Sequence, residues 1–266
     1  MTSTLSTYLQ ISNSMAKWQK ITTAEPITKA QTEYYQKNIG NIKTPKELVN
    51  NYRLFSYVMN AFGLSDMMYA KGLIQKVLEQ GTDDPKALAY KLNKPNILAL
   101  AKTFDFAAWG DAATGTKEVK TDVVNKFIQQ TMEDDQGRQN PGVQLALYFE
   151  RNAPNIKTAY NILADKKLLT VVQTALGISQ YMSYANIDTQ AKMISSAVNI
   201  KDFQNPKKLQ SFLQKFSTLY DVSNGGATSQ SANVPNAMIS GSGLPGVTSF
   251  SSSLLAGMQN LKLGGY

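Results

Sequence analysis

The side chains that could do chemistry in this chain are carboxylates, lysines, tyrosines and serines, because its 266 residues include no cysteine and no histidine. Without cysteine there is no disulfide, no thiolate nucleophile and no cysteine zinc site. Without histidine there is no Ser-His-Asp triad, no histidine-ligated metal and no imidazole proton shuttle. An enzyme built from the remaining groups would need a pocket where lysine, tyrosine and carboxylates converge with perturbed pKa values. No motif in the sequence supports one, so we expect a non-enzymatic protein.

Two acidic clusters are the first candidates for a metal or general acid–base site. Asp83-Asp84 is explained more simply as a turn and helix N-cap, where the helix dipole favours negative charge. Glu133-Asp134-Asp135 falls in the last turn of a predicted helix and lacks the alternating oxygen ligands and glycine of a calcium loop. Glycine-rich stretches near residue 224 and at 241–246 lack the Lys-Ser/Thr ending of a phosphate loop. We therefore predict no catalytic, cofactor-binding or metal-binding residue.

The formal charge of +8 raises the possibility of an anionic partner. The lysines are dispersed, however, which is typical of a solvated helix surface and makes nucleic acid the less favoured partner. Arg53 and Lys167 occupy matching positions in a repeat described below, so they could face a shared anionic partner or could simply be surface charges.

The helices that carry the candidate residues include a stretch of sequence that occurs twice. Residues 34–65 align without a gap to residues 148–179, at a shift of 114, with eleven identities in 32 positions. Roughly two identities would be expected at average composition. In the first copy the identical apolar residues Leu54, Val58 and Ala61 share one helix face, and Gly63 and Gly177 follow where each helix must end. The sequence therefore predicts two duplicated multi-helix halves.

Helix signals account for the rest of residues 1–220, which we expect to form an all-α domain because no alternating run is long enough for a sheet. Helices are predicted over about 5–24, 28–38, 45–62, 66–80, 85–92, 95–106, 118–134, 142–152, 156–164, 166–176, 189–198 and 206–219. The first repeat covers about 26–106, a linker rich in small residues covers 107–117, and the second repeat covers about 141–220. Residues 221–266 contain nine serines and eight glycines, and we expect a flexible low-complexity tail.

Several runs carry a family resemblance: YYQKNIGNIKT, RLFSYVMNAFGLSDMMYAK, and LALYFERNAPNIKTAYNILAD with LLTVVQTALGIS. Over about residues 8–220 the chain resembles an alphaproteobacterial family of helical proteins of unknown function, often encoded within flagellar gene clusters. The family has no established catalytic or binding residues, so none is carried over to this sequence. The resemblance implies a flagellum-associated role, which rests on genomic company and not on chemistry.

Two functional hypotheses follow. The first is a non-enzymatic protein-binding or structural component of flagellar assembly or of the flagellum, with other proteins, including flagellar components, as partners. The alternative is a basic helical module that binds nucleic acid or another anionic polymer. No apolar run is long enough for a membrane helix, and the N-terminus lacks the pattern of a secretory signal peptide. Its Ser, Thr, Asn and Gln content resembles leaders of type III export, so we expect a cytoplasmic protein or one exported by the flagellar type III route.

Overall fold

The computed structural model describes residues 3–92 and 94–224, and all regular structure in these ranges is helical. The prediction of an all-α fold is confirmed for this part of the chain. The same ranges contain no helix with the length and apolar content needed to cross a membrane. Most of the predicted tail lies outside the described residues.

Fifteen α-helices are present in the described ranges. The first nine are α1 (Thr4–Ser12), α2 (Met15–Ala24), α3 (Pro26–Asn38), α4 (Pro45–Asn50), α5 (Tyr52–Ala61), α6 (Lys71–Gln80), α7 (Leu88–Lys91), α8 (Pro95–Phe104) and α9 (Phe106–Trp109). The remaining six are α10 (Val123–Gln139), α11 (Pro141–Asn152), α12 (Ala159–Leu163), α13 (Lys166–Leu176), α14 (Ile187–Ala197) and α15 (Pro206–Ser223). Short 3-10 turns connect several of them, and a π-helical segment, Glu118–Asp122, leads into α10.

Local capping explains where many of these helices begin. Thr44 Oγ1 accepts a hydrogen bond from the backbone N–H of Glu47 at 3.2 Å, and Pro45 occupies the first position of α4. Asn205 caps α15 in the same way, since its side chain accepts from the backbone N–H groups of Lys207 and Lys208. The sequence predicts both of these starts correctly, because each depends on neighbours within three residues.

The predicted helix over 45–62 is wrong in one respect, since the chain forms two helices separated at Asn51. This residue has extended backbone angles, and its side-chain oxygen accepts from the backbone N–H of Leu54 at 3.1 Å. Asp165 stands 114 residues later and caps α13 by accepting from the backbone N–H groups of Lys167 and Leu168. A cap-forming residue at the same register in both copies was therefore the signal for the break.

Other boundaries also differ from the prediction. The helix expected over 5–24 is broken into α1 and α2 at Asn13 and Ser14, and the helix expected over 66–80 begins as the 3-10 turn Ser65–Met67. The helix expected over 118–134 continues to Gln139, so Glu133 lies within the helix and not in its last turn. Residues 107–117, predicted as a linker, are largely helical and are held to the first half, because Thr114 Oγ1 donates to the backbone carbonyl of Ile42 at 2.8 Å.

Buried apolar side chains form two clusters, which we call the first core and the second core. The first core contains residues between Tyr35 and Phe127, and the second contains residues from Met132 to Phe216 together with Tyr8 and Ile11. Helix α10 contributes to both, with Val123 and Phe127 in the first core and Met132 in the second. The two halves therefore bury separate apolar centres along one shared helix.

The N-terminal helix belongs to the second core, which no local pattern in the sequence indicates. Tyr8 and Ile11 on α1 are fully buried among residues of α11 and α15. Helix α1 therefore packs on the second half, although the first half follows it directly in the sequence. It completes the second core but lies outside the repeat.

Local geometry recurs at the shift of 114. Asn38 Nδ2 donates to the carbonyl oxygen of Tyr34 at 2.8 Å, and Asn152 Nδ2 donates to the carbonyl oxygen of Tyr148 at the same distance. Gly63 and Gly177 have φ angles of 66° and 65°, the left-handed conformation expected of helix-terminating glycines. The common origin of the two halves stays a prediction, which these matched contacts support.

Candidate functional site

The second half carries a group of exposed aromatic and aliphatic side chains, which we call the tyrosine surface. Its members are Tyr160 on α12, Tyr181 and Tyr184 on the 3-10 turn Gln180–Tyr184, and Ile187 at the start of α14. They are 48%, 77%, 85% and 58% exposed, in that order. The rings of Tyr181 and Tyr184 are stacked with centroids 6.1 Å apart. Exposed apolar side chains that are grouped on one surface are a feature of protein interaction sites.

Helix packing brings the members of the tyrosine surface together. Helices α12 and α14 are in contact, and Tyr160 Oη donates to Asp188 Oδ1 at 2.8 Å. This hydrogen bond raises the pKa of Tyr160 above its ordinary value. Asn186 caps α14 by accepting from the backbone N–H of Thr189. The orientation of the surface is therefore set by a cap and a cross-helix hydrogen bond.

A second candidate is an ion pair buried between the two cores. The side chain of Glu133 is fully buried, and that of Arg151 is 28% exposed. Arg151 Nε donates to Glu133 Oε1 at 2.8 Å, and Arg151 Nη2 donates to Glu133 Oε2 at 2.8 Å. Burial disfavours the charged guanidinium, but the Glu133 carboxylate outweighs this effect and raises the pKa of Arg151. Two parallel hydrogen bonds of this kind fix the angle of α11 relative to α10.

Glutamine side chains complete the ion pair. Gln129 Nε2 donates to Glu133 Oε1 at 2.9 Å and in turn accepts at Oε1 from Gln19 Nε2 at 2.7 Å. Arg151 Nη2 also donates to Gln130 Oε1 at 2.8 Å. The network links α2, α10 and α11, and it surrounds the buried carboxylate with donors.

Tyr148 extends this polar group toward a cavity of about 510 Å³ between the halves. Its hydroxyl donates to Asp165 Oδ2 at 2.5 Å, and the cations of Arg151 and Lys167 lie 5.2 and 5.0 Å from its ring centroid. Burial, reinforced by the Asp165 carboxylate, raises the pKa of Tyr148. A tyrosine in this state is a neutral hydrogen-bond donor and a cation-binding ring, which suits a structural role better than that of a base.

The structure gathers several residues that the sequence presents separately. We call the group formed by Gln130, Glu133, Tyr148 and Arg151 the polar junction. Gly63 ends α5 beside it, and a Cβ atom at Gly63 would lie 3.3 Å from Gln130 Oε1 and 3.4 Å from Asn96 Nδ2. Glu133 pairs with Arg151 at this junction, and both Arg151 and Lys167 lie over the ring of Tyr148. Sequence reasoning missed Arg151, which is flanked by Glu150 and Asn152 and so carries no local signal of a buried ion pair.

Other candidates lie apart from the junction. Arg53 lies over the ring of Tyr34 with its Cζ 3.8 Å from the centroid, whereas Lys167 lies over the ring of Tyr148. Asp83 and Asp84 lie in the turn before α7, where Asp84 Oδ1 accepts from the backbone N–H of Lys86 at 2.8 Å. The expected turn is present, but α7 starts later than predicted, at Leu88.

Helical spacing predicts core packing for the aromatic residues of the first half, and Tyr35, Phe55 and Tyr57 are buried there, whereas Tyr52 is 68% exposed. Tyr57 is stacked between Tyr35 and Phe127, with centroid distances of 4.3 and 3.8 Å. In the described ranges no group of three or more acidic side chains is arranged to hold a metal ion. Glu133 and Asp134 are instead engaged by Arg151 and by glutamine amides.

Comparisons with known proteins give a family and a fold. The sequence profile of a family described as "Protein of unknown function (DUF1217)" matches residues 61–209. The chain is 38% identical to protein AGR_C_984 from Agrobacterium tumefaciens, whose crystal structure it resembles with a TM-score of 0.77. That similarity covers 84% of this chain and 97% of the Agrobacterium chain. The search among curated proteins found no significant match.

Proposed function

The chain belongs to the DUF1217 family of proteins of unknown function, and from this premise we propose that it is a non-enzymatic protein-binding or structural component. The observation that supports this function best is the tyrosine surface. Tyrosine is enriched at protein interfaces, where it contributes a large contact area and a hydroxyl that can hydrogen-bond. A partner that covers Tyr181 and Tyr184 would remove their exposed rings from water.

The flagellar part of the proposal rests on the resemblance described above, to a family often encoded within flagellar gene clusters. Its proposed mechanism is recognition of a protein partner during flagellar assembly, or in the flagellum, by the helical body. Export by the flagellar type III route is part of the same proposal.

The test uses a strain in which the gene is deleted and then restored with variants. The double variant Tyr181→Ser/Tyr184→Ser should fail to restore swimming, while Tyr69→Ser should restore it. Tyr69 is a matched control, because it is as exposed as Tyr184 but lies on the first half. A photo-crosslinking amino acid at position 181 should capture a flagellar protein. Normal swimming of the deletion strain would refute the flagellar role.

A binding module for anionic polymers is the second candidate. Lys94, Lys166 and Lys167 line the cavity between the halves, although Asp66 and Asp165 lie there as well. Retention on heparin should then fall steeply with salt, and replacement of the three lysines by glutamine should flatten that dependence. Unchanged salt dependence in the triple variant would exclude this cavity as the site.

A further inference from the structure

The N-terminal helix α1 is held to the second half by polar and apolar contacts that are distant in sequence. The backbone N–H of Thr4 donates to Asp221 Oδ1 and Oδ2 at 3.1 and 2.9 Å, and Ser3 Oγ donates to Asp221 Oδ2 at 3.0 Å. At the other end of α1, Ser12 Oγ donates to Glu150 Oε1 at 2.8 Å. The carboxylate of Asp221, on α15, thus caps the N-terminus of α1.

The groove that receives α1 lies between α11 and α15 and is shaped for a helix. Tyr8 and Ile11 fill it and are fully buried. At Gly142 a Cβ atom would lie 2.8 Å from Thr4 Cγ2 and 2.5 Å from Tyr220 Cδ1, so glycine permits the close approach of both helices. The groove therefore fits a short helix that carries a tyrosine and, three residues later, an isoleucine.

The connection between α1 and α2 departs from helical geometry at one residue. Asn13 has right-handed helical angles, whereas Ser14 has φ −137° and ψ 33°. The sequence itself predicts one continuous helix over 5–24. If Ser14 adopted helical angles, α1 and α2 would join into a helix about 30 Å long, and α1 would leave its own groove. The same Thr4, Tyr8 and Ile11 face would then be available to another molecule.

We propose that α1 exchanges between two copies of this chain, so that each copy's helix occupies the groove between α11 and α15 of the other. The bound occupant is identical in both arrangements, so exchange preserves the contacts that α1 makes with α11 and α15, while the backbone at Ser14 and the contacts between α1 and α2 change. Domain swapping of this kind is a low-cost route to dimers. The partner that this surface fits is therefore a second copy.

Because the chain contains no cysteine, introduced cysteines can report the exchange without background. One preparation carries Ser3→Cys and the other Asp221→Cys; they are mixed at high concentration, oxidised and separated on a non-reducing gel. Exchange predicts a covalent dimer linked between positions 3 and 221. Mixing Ser3→Cys with Ser211→Cys, an exposed position elsewhere on α15, measures disulfides formed by random collision.

A second pair of cysteine variants is needed, because Asp221→Cys removes the carboxylate that caps α1. Ser12→Cys and Glu150→Cys, placed on separate chains, should link in the same way. Chains that carry both cysteines of one pair should close an internal disulfide wherever α1 occupies its own groove.

Variants at the break shift the balance in opposite directions. Asn13→Ala/Ser14→Ala favours the continuous helix and should raise the dimerisation constant by about an order of magnitude, whereas Ser14→Gly should lower it. Light scattering across a concentration series measures both effects. The proposal is overturned if mixed chains cross-link no more than the collision control, including in the Asn13→Ala/Ser14→Ala background.

Discussion

Arg151→Met should be strongly destabilising, because it removes the cation that neutralises a buried carboxylate. Glu133 is fully buried and receives two hydrogen bonds from Arg151. Methionine preserves the length and most of the volume of the side chain, so the main change is loss of charge and donors. The Gln129 amide would remain as a donor to Glu133, but it carries no compensating charge.

Breaking a buried ion pair by removing one partner costs about 3–5 kcal/mol, because the remaining charge is left without compensation. That is a large fraction of the roughly 5–15 kcal/mol by which single domains are stable. The double variant Glu133→Gln/Arg151→Met removes both charges, so its loss should be smaller than the sum of the two single losses by about 1–3 kcal/mol.

The assay is urea unfolding followed by circular dichroism, applied to the four proteins of the double-mutant cycle. Arg138→Met serves as the matched control: Arg138 pairs with Asp135 on the same helix, but its side chain is 73% exposed. This control should cost no more than about 1 kcal/mol. Additive single losses, or a loss for Arg151→Met no larger than that of the control, would refute the view that the buried pair holds α11 on α10.

Three further predictions concern stability. Gly63→Ala and Gly177→Ala should each destabilise by about 1 kcal/mol in thermal unfolding because of their positive φ angles, and Gly63→Ala should be the worse, since only its Cβ would meet side-chain atoms. Equal losses would contradict this. Glu150→Gln should raise the unfolding free energy at pH 7, because burial raises the pKa of Glu150 above its ordinary value of 4.5. The carboxyl group of Glu150 binds its proton more tightly in the folded state than in the unfolded state. The stability that this proton contributes is present at acid pH and is lost as the pH rises through the folded pKa. The gain from glutamine should therefore vanish below about pH 4. Gly142→Ala should lower the melting temperature by displacing Tyr220, and a tolerated alanine would contradict the close approach at this site.

Much of the secondary structure could be predicted from local sequence. Helix α13 runs over Lys166–Leu176, the range that the sequence indicates, and Gly177 ends it with a left-handed backbone. Signals within three or four residues determine such starts and stops. The prediction failed at Asn51 and Ser14, where it joined two helices into one because the apolar pattern continues across the break. At Asn51 the break is imposed by a capping side chain, and at Ser14 it is imposed by the groove that receives α1.

The candidate sites were harder to predict from the sequence, because their members are far apart in the chain. Glu133 and Arg151 are 18 residues apart and lie on different helices, while Ser3 and Asp221 are 218 apart. Hydrophobic periodicity tells which face of a helix is buried, but not which element covers it. The pairing of Glu133 with Arg151 and the outward position of Tyr181 therefore had no local signal.

The sequence by itself determined that the body is helical, where most helices begin and end, that one stretch occurs twice, and that thiol and imidazole chemistry are absent. Each of these follows from residue types or from contacts within about one helical turn. Only the tertiary structure decided that there are two cores joined along α10, that α1 completes the second core, and that an ion pair lies between them. Those features depend on which helices pack together, and the free energy that selects a packing partner is summed over surfaces distant in the chain.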